Sequence, residues 1–234
     1  MSDCSKYLEK INYHFTVPDS PPFTWIFYGD SITHCAVHTH GWRSFPEIFA
    51  ARVRGELRLA ADVIINTAYS GRTAEALSRQ DIFNACVAKF APSAVFLLVG
   101  TNDIVKTEGG PESYRACLES IVEQIVKIGA IPIVQNYPPV AKSENPEYVK
   151  RYNEIPAYNT IIAETAAKYG AIFVDHWSHW RKYAATPEIL DSWLGETIHP
   201  GARGHFEMAM TIFRTLGIYS AESSCCQVFK SQYF

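Results

Sequence analysis

The chain has 234 residues, of which 47% are hydrophobic and 19% charged, and its formal net charge is −3 at pH 7. Such a composition is typical of a folded globular protein, and without a clustered basic excess it argues against nucleic acid or an anionic membrane surface as a partner. No apolar stretch approaches the roughly 18 residues of a membrane span, and the polar N-terminus lacks the apolar core of a secretory signal. We therefore expect a protein without membrane segments that is cytoplasmic unless a signal has been removed. The sequence does not indicate its oligomeric state.

The six cysteines are too sparse for a disulfide scaffold, and no Cys-x-x-Cys pair is present. Reduced thiols are therefore expected. Cys35, four residues after Ser31, is interpreted as a small buried apolar side chain.

Apolar runs bounded by turn residues predict five strands, at 23–28, 62–66, 93–99, 131–135 and 171–175. Helical spacing predicts helices at 42–55, 73–90, 111–129, 145–170 and 202–216. Pro132 favours an edge strand or a strand start, and Pro156 predicts a kinked helix or two helices. Residues 176–198 are expected to be irregular.

Strands that alternate with helices predict an α/β fold, a three-layer α/β/α sandwich around a five-stranded parallel sheet. The pattern covers residues 23–216, which we take as one domain. Residues 1–22 are interpreted as an N-terminal extension and residues 217–234 as a C-terminal extension.

Four polar stretches lie at or after strand ends: Gly29-Asp30-Ser31, Ser70-Gly71, Gly100-Thr101-Asn102-Asp103 and Glu196-Thr197-Ile198-His199-Pro200. In an open parallel sheet, ligands bind in the crevice outside the carboxyl ends of the strands. An isolated Gly-Asp-Ser is usually a turn, so the interpretation of Ser31 depends on the other stretches. Their convergence at one edge of the sheet makes Ser31 a candidate for chemistry.

The residue types at this edge match nucleophilic catalysis by serine. A serine hydroxyl becomes a useful nucleophile when an imidazole accepts its proton, and His199 is the candidate base for Ser31. Glu196, three residues earlier, could accept a hydrogen bond from the other ring nitrogen. The backbone N–H groups of Ser31 and Gly71 and the amide of Asn102 are candidate donors to an oxyanion.

The blocks Gly29-Asp30-Ser31-Ile32, Gly71, Gly100-Thr101-Asn102-Asp103 and His199-Pro200 resemble, in order and spacing, the signature blocks of the SGNH hydrolases, also called GDSL esterases and lipases. The resemblance implies a flavodoxin-like fold and metal-free ester hydrolysis. It also implies that Ser31 is the nucleophile, that His199 is the base, and that Ser31, Gly71 and Asn102 form the oxyanion hole.

The chain departs from that family where its last block usually carries an aspartate, because Glu196 stands there. Glu196 is the candidate acid, with Asp191 or a backbone carbonyl as alternative partners of His199. His34, His38 and His40 are interpreted as polar residues of a substrate-facing loop rather than metal ligands, and no metal or other cofactor is expected. Arg72 could meet an anionic substrate group or be solvated.

The aromatic residues Trp177, Trp180, Tyr183 and Trp193 precede the last block, and they could either pack the loop or line a sugar-binding wall. The leading hypothesis is a serine esterase that removes short acyl groups, above all acetyl, from a small molecule or a glycan. A lysophospholipase or acyl-thioesterase is the alternative within the family. A catalytically inactive binding module is the alternative outside enzyme function.

Overall fold

A computed structural model of the chain describes residues 3–228 and 230. Five strands form one sheet: β1 (Thr24–Gly29), β2 (Val63–Asn66), β3 (Ala94–Leu98), β4 (Ile131–Gln135) and β5 (Ile172–Val174). Their order is β2-β1-β3-β4-β5, and every neighbouring pair is parallel. The predicted five-stranded parallel sheet is confirmed. Residues 1, 2, 229 and 231–234, which belong to the predicted extensions, lie outside the described residues.

Helices connect the strands. They are α1 (Asp3–Thr16), α2 (Ser31–His34), α3 (Phe45–Ala50), α4 (Ala74–Ser78), α5 (Gln80–Cys86), α6 (Asp103–Lys106), α7 (Gly110–Lys127), α8 (Pro146–Lys168), α9 (His176–Tyr183), α10 (Pro187–Trp193) and α11 (Ala202–Thr215). A π-helical stretch, Ala51–Glu56, continues α3, and 3₁₀ turns lie at Ala88–Phe90 and Ser224–Cys226.

Alternate residues of β1 show how both faces of the sheet are covered. Trp25 and Phe27 point to one face, where their rings contact Phe49 of α3. Tyr28 points to the other face, where its hydroxyl donates to the carbonyl oxygen of Leu77 in α4. Because successive side chains of a strand alternate between faces, helices are needed on both sides to bury such an apolar strand. The three-layer α/β/α arrangement is confirmed.

Pro132 and Pro156, for which the sequence left alternatives open, both lie within regular elements. Pro132 is the second residue of β4, which lies between β3 and β5, so the position near a strand start, not at a sheet edge, is the one observed. Pro156 lies inside α8, which runs as one element from Pro146 to Lys168. The region predicted as one helix from 73 to 90 is instead α4, α5 and a 3₁₀ turn.

The prediction that residues 176–198 are irregular is wrong, because α9 and α10 occupy most of that segment. Asp175 caps α9 by accepting the Ser178 N–H. Thr186 caps α10 in the same way, with Pro187 at the first helical position. A capping threonine followed by proline is a recognised helix start, so this helix was detectable in the sequence.

Helix α1, to which the sequence interpretation assigned no element, is joined to the sheet by buried Asp62. The carboxylate of Asp62 lies 2.8 Å from His14 Nε2 and accepts hydrogen bonds from the Trp25 indole and the Phe23 N–H. Burial alone would raise the pKa of Asp62, but these hydrogen bonds outweigh burial and hold that pKa below its usual range.

The C-terminal segment is tied to the π-helical stretch. The Arg52 guanidinium donates to the carbonyl oxygen of Ile218, and the Glu56 carboxylate accepts from Ser223 and from the Cys225 N–H. The six cysteines, all within the described residues, are free thiols. Within the described part of the chain, no helix combines the length and apolar character needed to cross a bilayer.

Candidate active site

Ser31 lies where the sequence predicts it, immediately after a central strand. Strand β1 ends at Gly29, and the Asp30 carboxylate caps α2 by accepting the Ile32 N–H at 3.1 Å. Ser31 is therefore the first residue of a short helix, where backbone N–H groups have no partner within the helix. This position leaves the Ser31 N–H available to a ligand in the crevice.

Asp30 itself is buried and joins three strand ends. Its Oδ2 accepts hydrogen bonds from the Tyr137 hydroxyl at 2.6 Å, beyond β4, and from the Thr101 hydroxyl at 3.2 Å, beyond β3. Burial raises the pKa of Asp30 to about 6. Asp30 thus connects the end of β1 to the segments that follow β3 and β4.

His199 is brought next to Ser31 although 168 residues separate them. The Ser31 Oγ lies 2.9 Å from His199 Nε2. Burial lowers the pKa of His199 to about 4, so the imidazole is neutral at physiological pH. A neutral Nε2 can accept the serine proton, which is the requirement for activating this hydroxyl.

Glu196 is the carboxylate beside His199. Its Oε2 lies 3.5 Å from His199 Nδ1, and its Oε1 accepts a hydrogen bond from His38 Nδ1 at 2.9 Å. That hydrogen bond holds the pKa of Glu196 below its usual range. His199 Nδ1 has no hydrogen-bond partner among the described residues, so no backbone carbonyl orients the ring. Asp191, the other candidate acid, is exposed in α10.

The two other predicted oxyanion donors occupy adjoining loops. Gly71 has a positive φ of 82°, and its carbonyl oxygen accepts from the Lys106 ammonium at 3.1 Å. Asn102 Nδ2 donates to the carbonyl oxygen of Arg72 at 3.0 Å. Since an amide nitrogen carries two hydrogens, one remains for a ligand. The guanidinium of Arg72 lies over the exposed Tyr69 ring.

The loop that carries Gly71 is tied to the helix that begins with Ser31. His34 Nδ1 accepts the Ser70 N–H at 3.2 Å, and the Tyr69 N–H donates to the carbonyl oxygen of Gly29 at 3.0 Å. Asn66 adds a third tie by donating to the carbonyl oxygen of Thr33 at 2.7 Å. His34, predicted only as a loop residue, therefore has a structural partner that sequence reasoning missed.

His38 stacks on His199, with ring centroids 3.5 Å apart and planes within 5° of parallel. One ligand atom from each of His38, Glu196 and His199 lies within 4.8 Å of the others, a spacing that could suit a metal. Metal ligands must direct their lone pairs to one point, whereas the ring lone pairs of His38 and His199 lie in two nearly parallel planes and do not meet at one point. The arrangement fits a hydrogen-bonded cluster better than a metal site.

The aromatic residues before His199 divide between the core and the surface. Trp180 and Trp193 are buried and meet edge to face at 5.1 Å, whereas Tyr183 is exposed. Exposed aromatic rings also lie in the loops that carry Gly71 and His38, at Tyr69 and Trp42. The thiol of Cys35 donates to the carbonyl oxygen of Ile32 at 2.9 Å, and burial raises its pKa.

A model of the GDSL-like Lipase/Acylhydrolase family matches residues 27–205, a span that contains every one of these site residues. The chain belongs to this family. The chain is therefore a carboxylic ester hydrolase with an α/β/α sandwich fold, and it is called the hydrolase below. No curated protein sequence matches it.

Solved structures share the fold of the hydrolase. A structure described as a GDSL-like lipase from Parabacteroides merdae has a TM-score of 0.71 at 18% identity, over 86% of this chain and 98% of that one. An α/β hydrolase from the Lake Arreo metagenome, LAE5, gives the same values. The acetylxylan esterase Axe2 of Geobacillus stearothermophilus has a TM-score of 0.69 at 19% identity, over 84% of this chain and 95% of that one.

Catalytic mutants of Axe2 have also been solved, and they alter a serine, an aspartate and a histidine, the aspartate three positions before the histidine. At these identities the likeness shows the fold of the hydrolase.

Proposed function

We propose that the hydrolase is a serine esterase in which Ser31 is the nucleophile, His199 the base and Glu196 the acid. The observation that carries the proposal is the 2.9 Å contact between Ser31 Oγ and the buried, neutral His199 Nε2. The three-residue spacing of Glu196 and His199 equals that of the aspartate and histidine altered in the Axe2 mutants.

The reaction begins as Ser31 Oγ attacks the ester carbonyl while its proton passes to His199 Nε2. The resulting oxyanion accepts hydrogen bonds from the N–H groups of Ser31 and Gly71 and from Asn102 Nδ2. His199 then gives its proton to the leaving alcohol, which leaves an acyl group on Ser31. Water, deprotonated by His199, then attacks the acyl carbonyl, the bond to Ser31 Oγ breaks as His199 returns the proton to that oxygen, and the carboxylic acid leaves. Glu196 stabilises the imidazolium in both halves.

A short acyl group, acetyl above all, and a hydroxylated leaving group such as a carbohydrate form the proposed substrate. The surroundings of Ser31 are polar, with His34, His38 and Asn102 nearby, whereas a long acyl chain needs an apolar groove. Exposed Tyr69 and Trp42 offer flat rings on which a sugar could stack. The fold shared with an acetylxylan esterase supports the same choice.

The catalytic assignment is tested with Ser31→Ala on p-nitrophenyl acetate and with a fluorophosphonate label. We expect kcat to fall by a factor on the order of 10³ or more in the variant, because the nucleophile is lost. The label should attach to the native protein and not to the variant. Undiminished turnover by the variant would contradict the assignment, and absence of labelling in the native protein would indicate an inactive binding module.

The substrate class is tested separately with p-nitrophenyl esters of increasing chain length and with acetylated xylo-oligosaccharides. A steep fall in kcat/KM beyond butyryl and release of acetate from the oligosaccharide are the expected results. A maximum at long chains would favour the lysophospholipase or acyl-thioesterase alternative.

A further inference from the structure

The carboxylate of Glu196 faces two imidazoles at once. His38 Nδ1 lies 2.9 Å from Oε1, and His199 Nδ1 lies 3.5 Å from Oε2. A carboxylate only accepts hydrogen bonds, so His38 carries its proton on Nδ1. Since His199 Nε2 faces the Ser31 hydroxyl, the tautomer ready for catalysis also carries its proton on Nδ1. Both rings then carry the proton on the nitrogen nearer this carboxylate, but only the N–H of His38 makes a hydrogen bond to it.

The contact with His38 is the shorter of the two, and Glu196 needs such a partner. The Glu196 side chain is 41% exposed, and glutamate has one more rotatable bond than the aspartate found in Axe2. An exposed glutamate that contacts His199 at 3.5 Å alone would sample other rotamers at little cost. The hydrogen bond from His38 restricts Glu196 to the rotamer that faces His199.

The loop that carries His38 is itself held against the loop that carries Glu196. A Cβ on Gly195 would lie 3.0 Å from the carbonyl oxygen of His38, which shows how closely the two backbones approach. Thr39 is buried, and its carbonyl oxygen accepts the Trp42 N–H at 3.0 Å. The backbone contacts of this loop therefore determine the position of His38.

The stack of His38 on His199 adds a second restraint. Parallel rings 3.5 Å apart leave the His199 imidazole little freedom to rotate about its side-chain bonds.

We propose that His38 is a positioning residue that anchors Glu196 and the plane of the His199 ring. The inference rests on the proposed roles of Ser31 and His199. It predicts that His38 acts on turnover through Glu196 and not through substrate binding.

The kinetic test compares His38→Ala, His38→Asn and His38→Phe on p-nitrophenyl acetate. His38→Ala should lower kcat about tenfold or more with KM within about twofold, since a small misplacement of the acid and base slows chemistry. His38→Asn keeps a donor for Glu196 and should recover much of the loss, whereas His38→Phe keeps only the stack. A kcat equal to or above the native value in His38→Ala would overturn the proposal, because His38 would then compete for the carboxylate.

A double-mutant cycle separates anchoring from a general structural effect. In a Glu196→Ala background, His38→Ala should cost clearly less in kcat than in the native background, because the carboxylate that it anchors is gone and only the restraint from the stack remains. The same loss in both backgrounds would contradict action through Glu196. Melting temperatures of all variants serve as the control for folding.

A readout that does not need turnover is the tautomer of His199, measured by the ¹⁵N shifts of its ring in the native and His38→Ala proteins. The native ring should be the Nδ1–H form, and the variant should show a mixture. If no ester is hydrolysed but the tautomer responds to His38, the proposed function fails while the positioning role stands. An unchanged tautomer together with unchanged kinetics would refute the role itself.

Discussion

His199 combines a contact to the Ser31 hydroxyl with a buried ring, and its burial decides the pH range of the reaction. The folded-state pKa of about 4 lies below the usual 6.5, so the ring stays neutral until the pH falls through about 4. We therefore expect the acidic limb of kcat/KM near pH 4 and not near 6.5. Initial rates on p-nitrophenyl acetate from pH 3.5 to 8 measure it.

Acid unfolding must be separated from titration of His199 in that experiment. Protein held at each pH and returned to pH 7 should recover its rate if only the base has titrated. If kcat/KM instead falls near pH 6.5 and the rate recovers fully at pH 7, the His199 ring is hydrated and the expected pKa of about 4 is contradicted.

At the residue scale, the sequence was enough to indicate Ser31, Gly71 and Asn102, which lie in short motifs after strands, and His199, which lies in the motif from Glu196 to Pro200. The role of His38 was not predictable, since 158 residues separate it from Glu196. Its position depends on backbone turns, including a positive φ at His40, that no local pattern signals.

Helix α2 and the loop that carries Gly71 form a connected unit, and His34 supplies one of the hydrogen bonds between them. The substitution His34→Leu removes the acceptor for the Ser70 N–H and should lower kcat about tenfold with KM nearly unchanged, because the neighbouring Gly71 N–H, the proposed oxyanion donor, is displaced. Steady-state kinetics on p-nitrophenyl acetate measure the effect.

Two further variants give that prediction its controls. His34→Asn retains an acceptor and should recover part of the rate. His40→Asn removes the imidazole of an exposed histidine in the neighbouring loop, at a positive φ that asparagine tolerates, and should have little effect. Equal losses at His34 and His40 would argue that the effect is not specific to the hydrogen bond of His34.

Strands β1 and β3 approach so closely at Gly29 that only glycine fits. A Cβ there would lie 2.1 Å from the carbonyl oxygen of Leu98, so Gly29→Ala must separate the two strands. We expect a loss of about 3 kcal/mol or more in the free energy of unfolding, measured by urea denaturation. Gly55→Ala is the matched control, because nothing lies within 4 Å of its Cβ, and a similar loss there would contradict this explanation.

At the element scale, the strands were predicted well because each is a compact apolar run between turn residues. The helices were harder, since packing decides them. In α9 the buried pair His176 and Trp180 lies among polar residues, so no wide apolar stripe marks the helix in the sequence. Helix α1 depends on contacts with Asp62, which lies far along the chain.

For the whole molecule, buried titratable groups of opposite effect set how stability depends on pH. Burial lowers the pKa of His176 and His205 to about 3 and that of His199 to about 4. Below pH 6.5 the unfolded chain therefore binds up to three protons that the folded chain does not, which destabilises the fold as the pH falls. Burial raises the pKa of Asp30 to about 6 and of Asp103 to about 7, which acts in the opposite direction.

The net expectation is a modest fall in the free energy of unfolding, about 1 kcal/mol per pH unit between pH 6 and 4.5, because each group contributes about 1.4 kcal/mol per unit. Urea denaturation across this range measures it. Asp103→Asn removes one opposing group and should steepen the fall by about 1.4 kcal/mol per unit. If the free energy of unfolding stays level or rises as the pH falls, the expected excess of the histidine effect over the aspartate effect is contradicted.

The distance along the chain between Ser31 and His199 has a consequence for how activity is acquired. The hydroxyl comes from the start of α2, directly after the first strand, and the imidazole from the loop between α10 and α11, 168 residues away. Contacts between such remote segments form late and slowly during folding, because a long loop must close first. Regain of esterase activity after refolding should therefore lag behind the recovery of helical signal, so that turnover reports completion of the native topology.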